Sequence, residues 1–205
     1  MDSNFFALIS RMRYIARWGL MRNALPENIQ EHSHMVAVLA HALGVIRRDI
    51  FHQPCDVNAL ATAALYHDAS EILTGDLPTP IKYHNAEIMS AYHAVEDLAV
   101  QKLLGMLPPE LRETYADVLA EDKDGDIYPL VKAADKLSAY IKCIEERKAG
   151  NNEFLSAEAQ TRAALEASPL RRCSIFWSIS SPRSSAISTS SARSVNKEDK
   201  PCVQS

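Results

Sequence analysis

Apolar residues recur every three to four positions over most of the first 168 residues, and this spacing limits the fold more than any other feature. It places the apolar side chains on one face of an α-helix, whereas a half-buried strand would alternate apolar and polar residues. Gly and Pro, which interrupt helices, are absent from Asp56 to Leu73. The sequence therefore predicts an all-α fold.

Seven helical segments are predicted from this spacing and from the residues that cap or break helices. They cover residues 5–17, 28–46, 56–73, 85–107, 108–119, 129–141 and 154–168. We expect Gly19 to end the first helix. The loop from Gly75 to Pro80 follows the third helix directly and contains two prolines, so we expect it to be rigid.

The overall charge and the cysteine pattern exclude several classes of protein. A formal net charge of −4 and a pI near 6.0 lack the basic surplus that is typical of proteins that bind nucleic acid polymers. The four cysteines form no CxxC pair, which argues against a zinc ribbon or a disulfide scaffold. No stretch approaches the roughly 18 apolar residues of a membrane span. We therefore predict a soluble, cytoplasmic protein that binds neither membranes nor nucleic acid polymers.

The composition changes abruptly near residue 168. Ser supplies 11 of the 32 residues from Ser174 to Ser205, and no helical or strand period persists there. A segment of this composition buries too little apolar surface to form a packed core. We predict one domain over residues 1–168, followed by a disordered or poorly packed tail over residues 169–205.

His67 and Asp68 place an imidazole beside a carboxylate, and Glu71 follows one helical turn after His67. A cation at this edge of the helix can take the imidazole together with the Asp68 carboxylate, which leaves Glu71 to handle a proton. A His-Asp pair by itself is more often a hydrogen bond near the surface. The metal hypothesis therefore needs ligands from other helices.

His32 and Asp135 are the candidates for these ligands, and they lie on two further predicted helices. Asp135 falls within an apolar helix, where an unpaired carboxylate is costly; its cation is either the nearby Lys132 or Lys136, or a metal ion. Two imidazoles and two carboxylates suit a divalent first-row metal ion. A helical bundle can direct such residues into its centre.

Arg17, Trp18 and Asp76 form a second candidate group. Arg17 can hold an anionic group while the adjacent ring of Trp18 stacks on a ligand, although a surface Arg next to a core Trp is the commoner arrangement. Asp76 either belongs to the site or closes a turn. The acidic loop from Glu121 to Asp126 lacks the Glu that a calcium loop needs, so a solvated turn is predicted there.

Six groups of residues, taken in order along the chain, resemble one family closely. They are Arg17-Trp18 with Leu20-Met21-Arg22-Asn23, Glu31-His32-Ser33, Tyr66-His67-Asp68-Ala69-Ser70-Glu71, Leu73-Thr74-Gly75-Asp76-Leu77-Pro78-Thr79-Pro80, Ala134-Asp135, and Ala149-Gly150-Asn151-Asn152-Glu153-Phe154. The order His, His-Asp, Asp resembles the HD superfamily of metal-dependent phosphohydrolases. Together the groups resemble the bacterial HD-domain 5'-deoxynucleotidases, which remove phosphate from deoxyribonucleoside 5'-monophosphates. The resemblance covers about residues 3 to 168.

The resemblance implies an HD-domain helical bundle with a central metal site. By position, the metal ligands fall on His32, His67, Asp68 and Asp135. The metal it implies is a divalent cation, with cobalt or manganese expected and zinc, copper or iron as alternatives. Members of the family are homodimers, so a homodimer is expected here.

The resemblance also implies roles in catalysis and substrate binding. Glu71 and Asp76 match catalytic positions, and Arg17, Trp18, His32 and Asp76 match positions that bind the deoxyribonucleoside 5'-monophosphate. The acidic loop aligns poorly with the family, so no role is assigned to it.

The tail departs from the family pattern. Family members continue past the last matched helix with an ordered apolar and aromatic segment, whereas this chain continues into serine-rich sequence. A change of reading frame near position 170 would explain the difference. Every proposed ligand precedes that position.

Two alternative functions remain open at this point. The first is an HD-domain phosphohydrolase that acts on another nucleotide phosphoester, such as a cyclic nucleotide or an alarmone. The second is a nucleotide-binding regulatory module that keeps the metal site without turnover.

Overall fold

The computed structural model describes residues 4–82, 84–120 and 125–167, and these residues form a helical bundle without a β-sheet. The helices are α1 (Phe5–Ile9), α2 (Ile29–Val45), α3 (Val57–Tyr66), α4 (Glu71–Thr74), α5 (Thr79–Lys82), α6 (Ala86–Gly105), α7 (Pro109–Leu119), α8 (Tyr128–Lys148) and α9 (Leu155–Ala167). Two 3-10 turns, Ser10–Tyr14 and Asn152–Phe154, and one π-helical turn, Ile46–Ile50, complete the helical segments. The all-α prediction is confirmed.

Two of the segments interpreted from sequence lie outside the described residues. They are the predicted tail, residues 169–205, and most of the acidic loop, residues 121–124. Within the described part of the chain, none of the helices combines the length and the apolar character that crossing a membrane requires.

The first helix ends earlier than the sequence predicts. The 3-10 turn after α1 stops at Tyr14. Beyond it the backbone N–H of Arg17 donates to the carbonyl of Glu27 at 3.0 Å, and the N–H of Ile29 donates to the carbonyl of Ile15 at 3.0 Å. The prediction of a helix through residue 17 was wrong because pairing with this distant segment replaces the local helical hydrogen bonds.

The helix predicted over residues 56–73 is interrupted at its most polar point. α3 ends at Tyr66, residues 67–70 form a turn, and α4 begins at Glu71. Within the turn, the N–H of Glu71 donates to the carbonyl of Asp68 at 3.0 Å, three residues earlier rather than four. The prediction of a single helix was therefore wrong. No Gly or Pro in the sequence signals the break. α8, by contrast, continues to Lys148 instead of ending at residue 141.

The main core lies where α2, α3 and α8 pack against one another. Its members are mostly aliphatic, with small alanines where the helices approach: Val36, Ala37, Leu39, Ala40, Leu43, Leu60, Ala64, Leu130, Val131, Ala133, Ala134, Leu137, Tyr140, Ile144 and Leu165. α2 and α3 approach each other closely at Gly44 of α2, where an added Cβ would lie 2.9 Å from Leu60 Cδ2. α2, α3 and α8 carry or adjoin the predicted ligands, so their packing decides whether the ligands meet.

Candidate metal and substrate site

His32 lies in the first turn of α2 and is completely buried. The Asn28 side chain accepts from the N–H of Glu31, and the Glu31 side chain accepts from the N–H of Asn28, so the helix begins with a capping box. His32 Nδ1 lies 3.2 Å from Ser138 Oγ, and His32 Nε2 lies 3.1 Å from Asp135 Oδ1. A proton on Nδ1, donated to Ser138, leaves the Nε2 lone pair facing Asp135.

His67 follows the last residue of α3, and its ring orientation is fixed by the helix itself. Nδ1 donates to the carbonyl of Ala64 at 2.8 Å, and because a carbonyl only accepts, Nδ1 carries the proton of the neutral ring. The buried Nε2 has no hydrogen-bond partner among the described residues, although Asp68 Oδ2 lies 3.1 Å away. Two acceptors that face each other in this way need a cation between or beside them.

The four predicted metal ligands meet in one cluster. One donor atom from each of His32, His67 and Asp135 lies within 4.8 Å of the other two. Asp68 Oδ2 lies 3.1 Å from His67 Nε2 and 3.6 Å from His32 Nε2. Imidazole nitrogens and carboxylate oxygens without thiolates form a donor set that suits a divalent first-row ion, so these residues fit the metal that the sequence predicts.

The electrostatics of the cluster favour bound positive charge. Burial raises the pKa of Asp68 and of Asp135, but the neighbouring imidazoles lower it by more. Both carboxyl pKa values therefore lie below their usual range. Burial lowers the pKa of His67, but the Asp68 charge raises it more, and the net shift is upward. Either a proton or a metal ion relieves the negative charge of this site.

Arg17 lies between the ligand cluster and the carboxylate of Glu27. Its Nη1 donates to Asp68 Oδ2 at 3.3 Å, and its Nε donates to Glu27 Oε2 at 3.2 Å. Burial lowers the pKa of Arg17, but the charges of Asp68, Asp135 and Glu27 raise it more, so the guanidinium stays charged. A fixed positive charge beside the ligand cluster is what a phosphate requires.

Trp18 adopts a left-handed backbone with φ 59°, which is uncommon for a bulky residue. Its backbone N–H donates to Asp76 Oδ2 at 3.1 Å, and its indole Nε1 donates to Glu27 Oε2 at 3.1 Å. The indole also packs against the buried Phe154, with ring centroids 5.2 Å apart. These contacts hold Trp18 next to Arg17.

Glu71 and Asp76 follow the turn that carries Asp68. Burial, together with the charges of Asp68 and Asp76, raises the pKa of Glu71 to about 10. Its buried Oε2 has no hydrogen-bond partner within the described part of the chain. Burial also raises the pKa of Asp76, although the charge of Arg17 and the Trp18 N–H counteract it. Carboxyls in such surroundings can hold a proton near neutral pH.

Comparison with known proteins shows the family to which this chain belongs. The family described as "5'-deoxynucleotidase YfbR-like" matches residues 4–183. The chain is 49% identical over 182 residues to the 5'-deoxynucleotidase YfbR of Escherichia coli K12, and also to that of Shigella boydii serotype 18; each match covers 88% of this chain and 92% of the relative. The chain belongs to the YfbR-like 5'-deoxynucleotidase family. The family resemblance of the six residue groups is confirmed, and the match extends beyond residue 168.

Solved structures support the fold of this YfbR-like family member. An HD-domain phosphohydrolase from Listeria innocua is similar with a TM-score of 0.71 and 24% identity, covering 78% of each chain. The HD phosphohydrolase of cyanophage S-2L, solved with dA and one catalytic Zn²⁺ ion, is similar with a TM-score of 0.52 and 23% identity, covering 85% of this chain and 90% of that one. The predicted HD-domain bundle is confirmed.

Sequence reasoning missed two residues that contact the site of this YfbR-like protein, Glu27 and Ser138. Ser138 follows Asp135 by three positions, so helical spacing already placed the two on one face, and that signal was available. Glu27 had no comparable signal because its contacts with Arg17 and Trp18 depend on the chain reversal between residues 18 and 27.

Proposed function

We propose that the protein is a metal-dependent 5'-deoxynucleotidase that hydrolyses deoxyribonucleoside 5'-monophosphates to deoxyribonucleosides and phosphate. The observation that carries the proposal is the partly buried cluster of two imidazoles and two carboxylates with the Arg17 guanidinium 3.3 Å from Asp68. The cluster occurs in a chain 49% identical to 5'-deoxynucleotidases over 182 residues. The cluster accounts for metal chemistry, and the guanidinium accounts for an anionic substrate.

We assign the metal to His32, His67, Asp68 and Asp135. Cobalt or manganese is the proposed ion, with zinc, copper or iron as alternatives, since all accept imidazole and carboxylate ligands. When bound, the ion supplies Lewis acidity toward the phosphate and an activated water.

The remaining residues bind the nucleotide and move protons. Arg17 neutralises the phosphate. His32, a predicted substrate-binding position, acts on the phosphate through the metal ion, because its Nδ1 contacts Ser138 and its Nε2 belongs to the ligand cluster. Glu71 and Asp76 manage the protons: one proton is taken from the attacking water and one is given to the departing 5' oxygen, so that phosphate and an alcohol are formed. In this proposal the bulky ring of Trp18 crowds the 2' position of the sugar and so disfavours a ribose hydroxyl there.

The test is phosphate release from dAMP, dUMP and dTMP beside AMP and UMP, with cobalt or manganese added after metal removal. Metal-dependent release from the deoxy compounds alone is the expected result. Release from all five would retain the phosphohydrolase and remove the proposed selectivity.

Failure to release phosphate by folded, metal-loaded protein would favour one of the two alternatives. Turnover of a cyclic nucleotide or an alarmone would identify an HD-domain phosphohydrolase of another specificity. Binding of nucleotide without turnover of any compound would identify a regulatory module.

The chain is also proposed to act as a cytoplasmic homodimer, as its family resemblance implies. Sedimentation velocity of the full chain checks the oligomeric state, and a single species of monomer mass across micromolar concentrations would contradict the dimer.

A further inference from the structure

Among the described residues, Glu27 supplies the carboxylate that accepts from the side chains of both Arg17 and Trp18, the two residues proposed to hold the nucleotide. Its Oε2 accepts from Arg17 Nε at 3.2 Å and from Trp18 Nε1 at 3.1 Å, and its backbone carbonyl accepts from the Arg17 N–H at 3.0 Å. The side chain is 15% exposed, so water competes little for these bonds. Hydrogen bonds to a charged acceptor are stronger and shorter than neutral ones.

The backbone explains how two consecutive side chains reach one oxygen. In an extended segment, neighbouring side chains point to opposite sides. The left-handed conformation of Trp18, φ 59°, breaks this alternation and turns its indole toward the side of Arg17. A conformation that is unfavourable for an aromatic residue persists only when surrounding contacts hold it, and Glu27 supplies one of those contacts.

We infer that Glu27 is a positioning residue, which holds the phosphate-binding Arg17 and the sugar-facing Trp18 in one fixed relation, and so couples affinity for the phosphate to discrimination between deoxyribose and ribose. The inference rests on the proposed function, but it concerns a residue to which that function assigns nothing. Glu27 has no contact with the ligand cluster in the hydrogen bonds of the described residues; it acts through Arg17 and Trp18.

Two variants of Glu27 and one control separate its effect on phosphate affinity from its effect on the preference for deoxyribose. Glu27→Ala removes both bonds, so the KM for dAMP should rise about tenfold and the kcat/KM preference for dAMP over AMP should fall about tenfold. Glu27→Gln keeps an acceptor oxygen for the indole but no charge, so most of the preference should return while the KM stays raised. Glu113→Ala, an exposed position on α7, is the matched control and should change neither.

A double-mutant cycle tests whether Glu27 acts through the indole N–H. In a Trp18→Phe background there is no Nε1, so adding Glu27→Ala should leave the dAMP to AMP preference unchanged while still raising the KM through Arg17. Equal loss of preference in both backgrounds would overturn the inference. An unchanged preference and KM in the single variant would also overturn it.

Tryptophan fluorescence tests the positioning role of Glu27 without requiring any enzymatic turnover. The sequence contains two tryptophans, so Trp177→Phe leaves Trp18 as the single tryptophan, whose fluorescence is excited selectively. In that background, Glu27→Ala should shift the emission to longer wavelength and increase quenching by acrylamide, with the far-ultraviolet circular dichroism unchanged. Identical emission and quenching would overturn the inference. Absence of deoxynucleotide hydrolysis by the parent protein would refute the proposed function instead, and this measurement would still decide the role of Glu27.

Discussion

At the scale of single residues, the site is defined by polar groups that cannot satisfy one another. His67 Nε2 and Asp68 Oδ2 face each other as acceptors, and Asp135 Oδ1 faces His32 Nε2, which carries no proton when Nδ1 donates to Ser138. Burying such groups costs free energy unless a cation completes their bonds. The unpaired acceptors therefore indicate binding more strongly than the identity of any one residue does.

Asp135→Asn keeps the shape of the side chain and removes its charge. We expect metal affinity to fall by more than about 100-fold, because a neutral amide replaces a carboxylate ligand, and phosphate release to be lost with it. Metal content after dialysis, measured by elemental analysis, checks the prediction. Asp97→Asn, at an exposed position of α6, is the matched control. Stoichiometric metal in the Asp135 variant would remove that residue from the ligand set.

At the scale of helices and loops, a buried network anchors the segment that follows Trp18. The completely buried Glu146 of α8 accepts from the backbone N–H groups of Ala24 and Leu25, both at 2.9 Å, and from Asn151 Nδ2 at 2.8 Å. Lys142 donates to Glu146 and to the Leu25 carbonyl. Residues 22–25 lack regular structure of their own, so α8 and the corner at Asn151 hold them in place.

Glu146→Gln should destabilise the protein at pH 7 by about 3 kcal/mol, because Lys142 would remain buried without a counter-charge. Burial raises the pKa of Glu146, but hydrogen bonds from Lys142, Asn151 and the backbone lower it to about 2 from 4.5. Because the folded pKa is the lower one, this stability is present above pH 4.5 and is lost as the pH falls toward 2.

Urea unfolding at several pH values measures this effect. The loss of stability between about pH 5 and 2 should be smaller in Glu146→Gln than in the parent protein. Glu145→Gln, at the exposed neighbouring position, is the control. Parallel pH curves for the parent and Glu146→Gln would contradict the prediction.

Gly44→Ala tests the contact between α2 and α3. Ala normally stabilises a helix relative to Gly by about 1 kcal/mol, but here the added Cβ would lie 2.9 Å from the buried Leu60 Cδ2 and 3.3 Å from Val57 Cγ2. Overpacking costs about 1–3 kcal/mol, so we expect a net loss of unfolding free energy.

Thermal and urea unfolding compare this variant with Gly105→Ala. The added Cβ at Gly105 meets no atom within 4 Å, so that substitution should be neutral or stabilising. Equal stabilisation by both substitutions would show that α2 and α3 are packed less tightly than the structure has them.

At the scale of the whole molecule, the described residues include every residue assigned to the candidate site. The last proposed ligand, Asp135, lies on α8, and α9 closes the main core through Leu165. The family match nevertheless runs to residue 183, beyond the predicted domain boundary at 168. A domain that ends at residue 168 and one that ends at residue 183 differ in the shortest chain that should fold stably.

A chain of residues 1–168 should keep the helical circular dichroism and bind metal, if the predicted domain boundary is correct. A chain of residues 1–183 is the matched control. Aggregation or unfolding of the shorter chain, with the longer chain intact, would extend the domain to the limit of the family match. Sedimentation velocity on both chains shows whether residues 169–183 contribute to association.

The sequence alone predicts the class of fold, most helix positions and the candidate ligands. Apolar spacing predicts helices because helical periodicity is local, and the residues around His32, His67 and Asp135 identify the family without coordinates. It did not predict the break after Tyr66 or the early end of the first helix. In the first helix, contacts from a distant segment override the local preference.

Which polar groups meet depends on the tertiary structure. The joint contact of Glu27 with Arg17 and Trp18, the facing acceptors at His67 and Asp68, and the burial of Glu146 all depend on segments that the packing of the bundle brings together. Helical periodicity specifies the buried face of each helix, but the distances between side chains on different helices depend on how closely the helices approach. That approach is a property of the whole core, and no single segment encodes it.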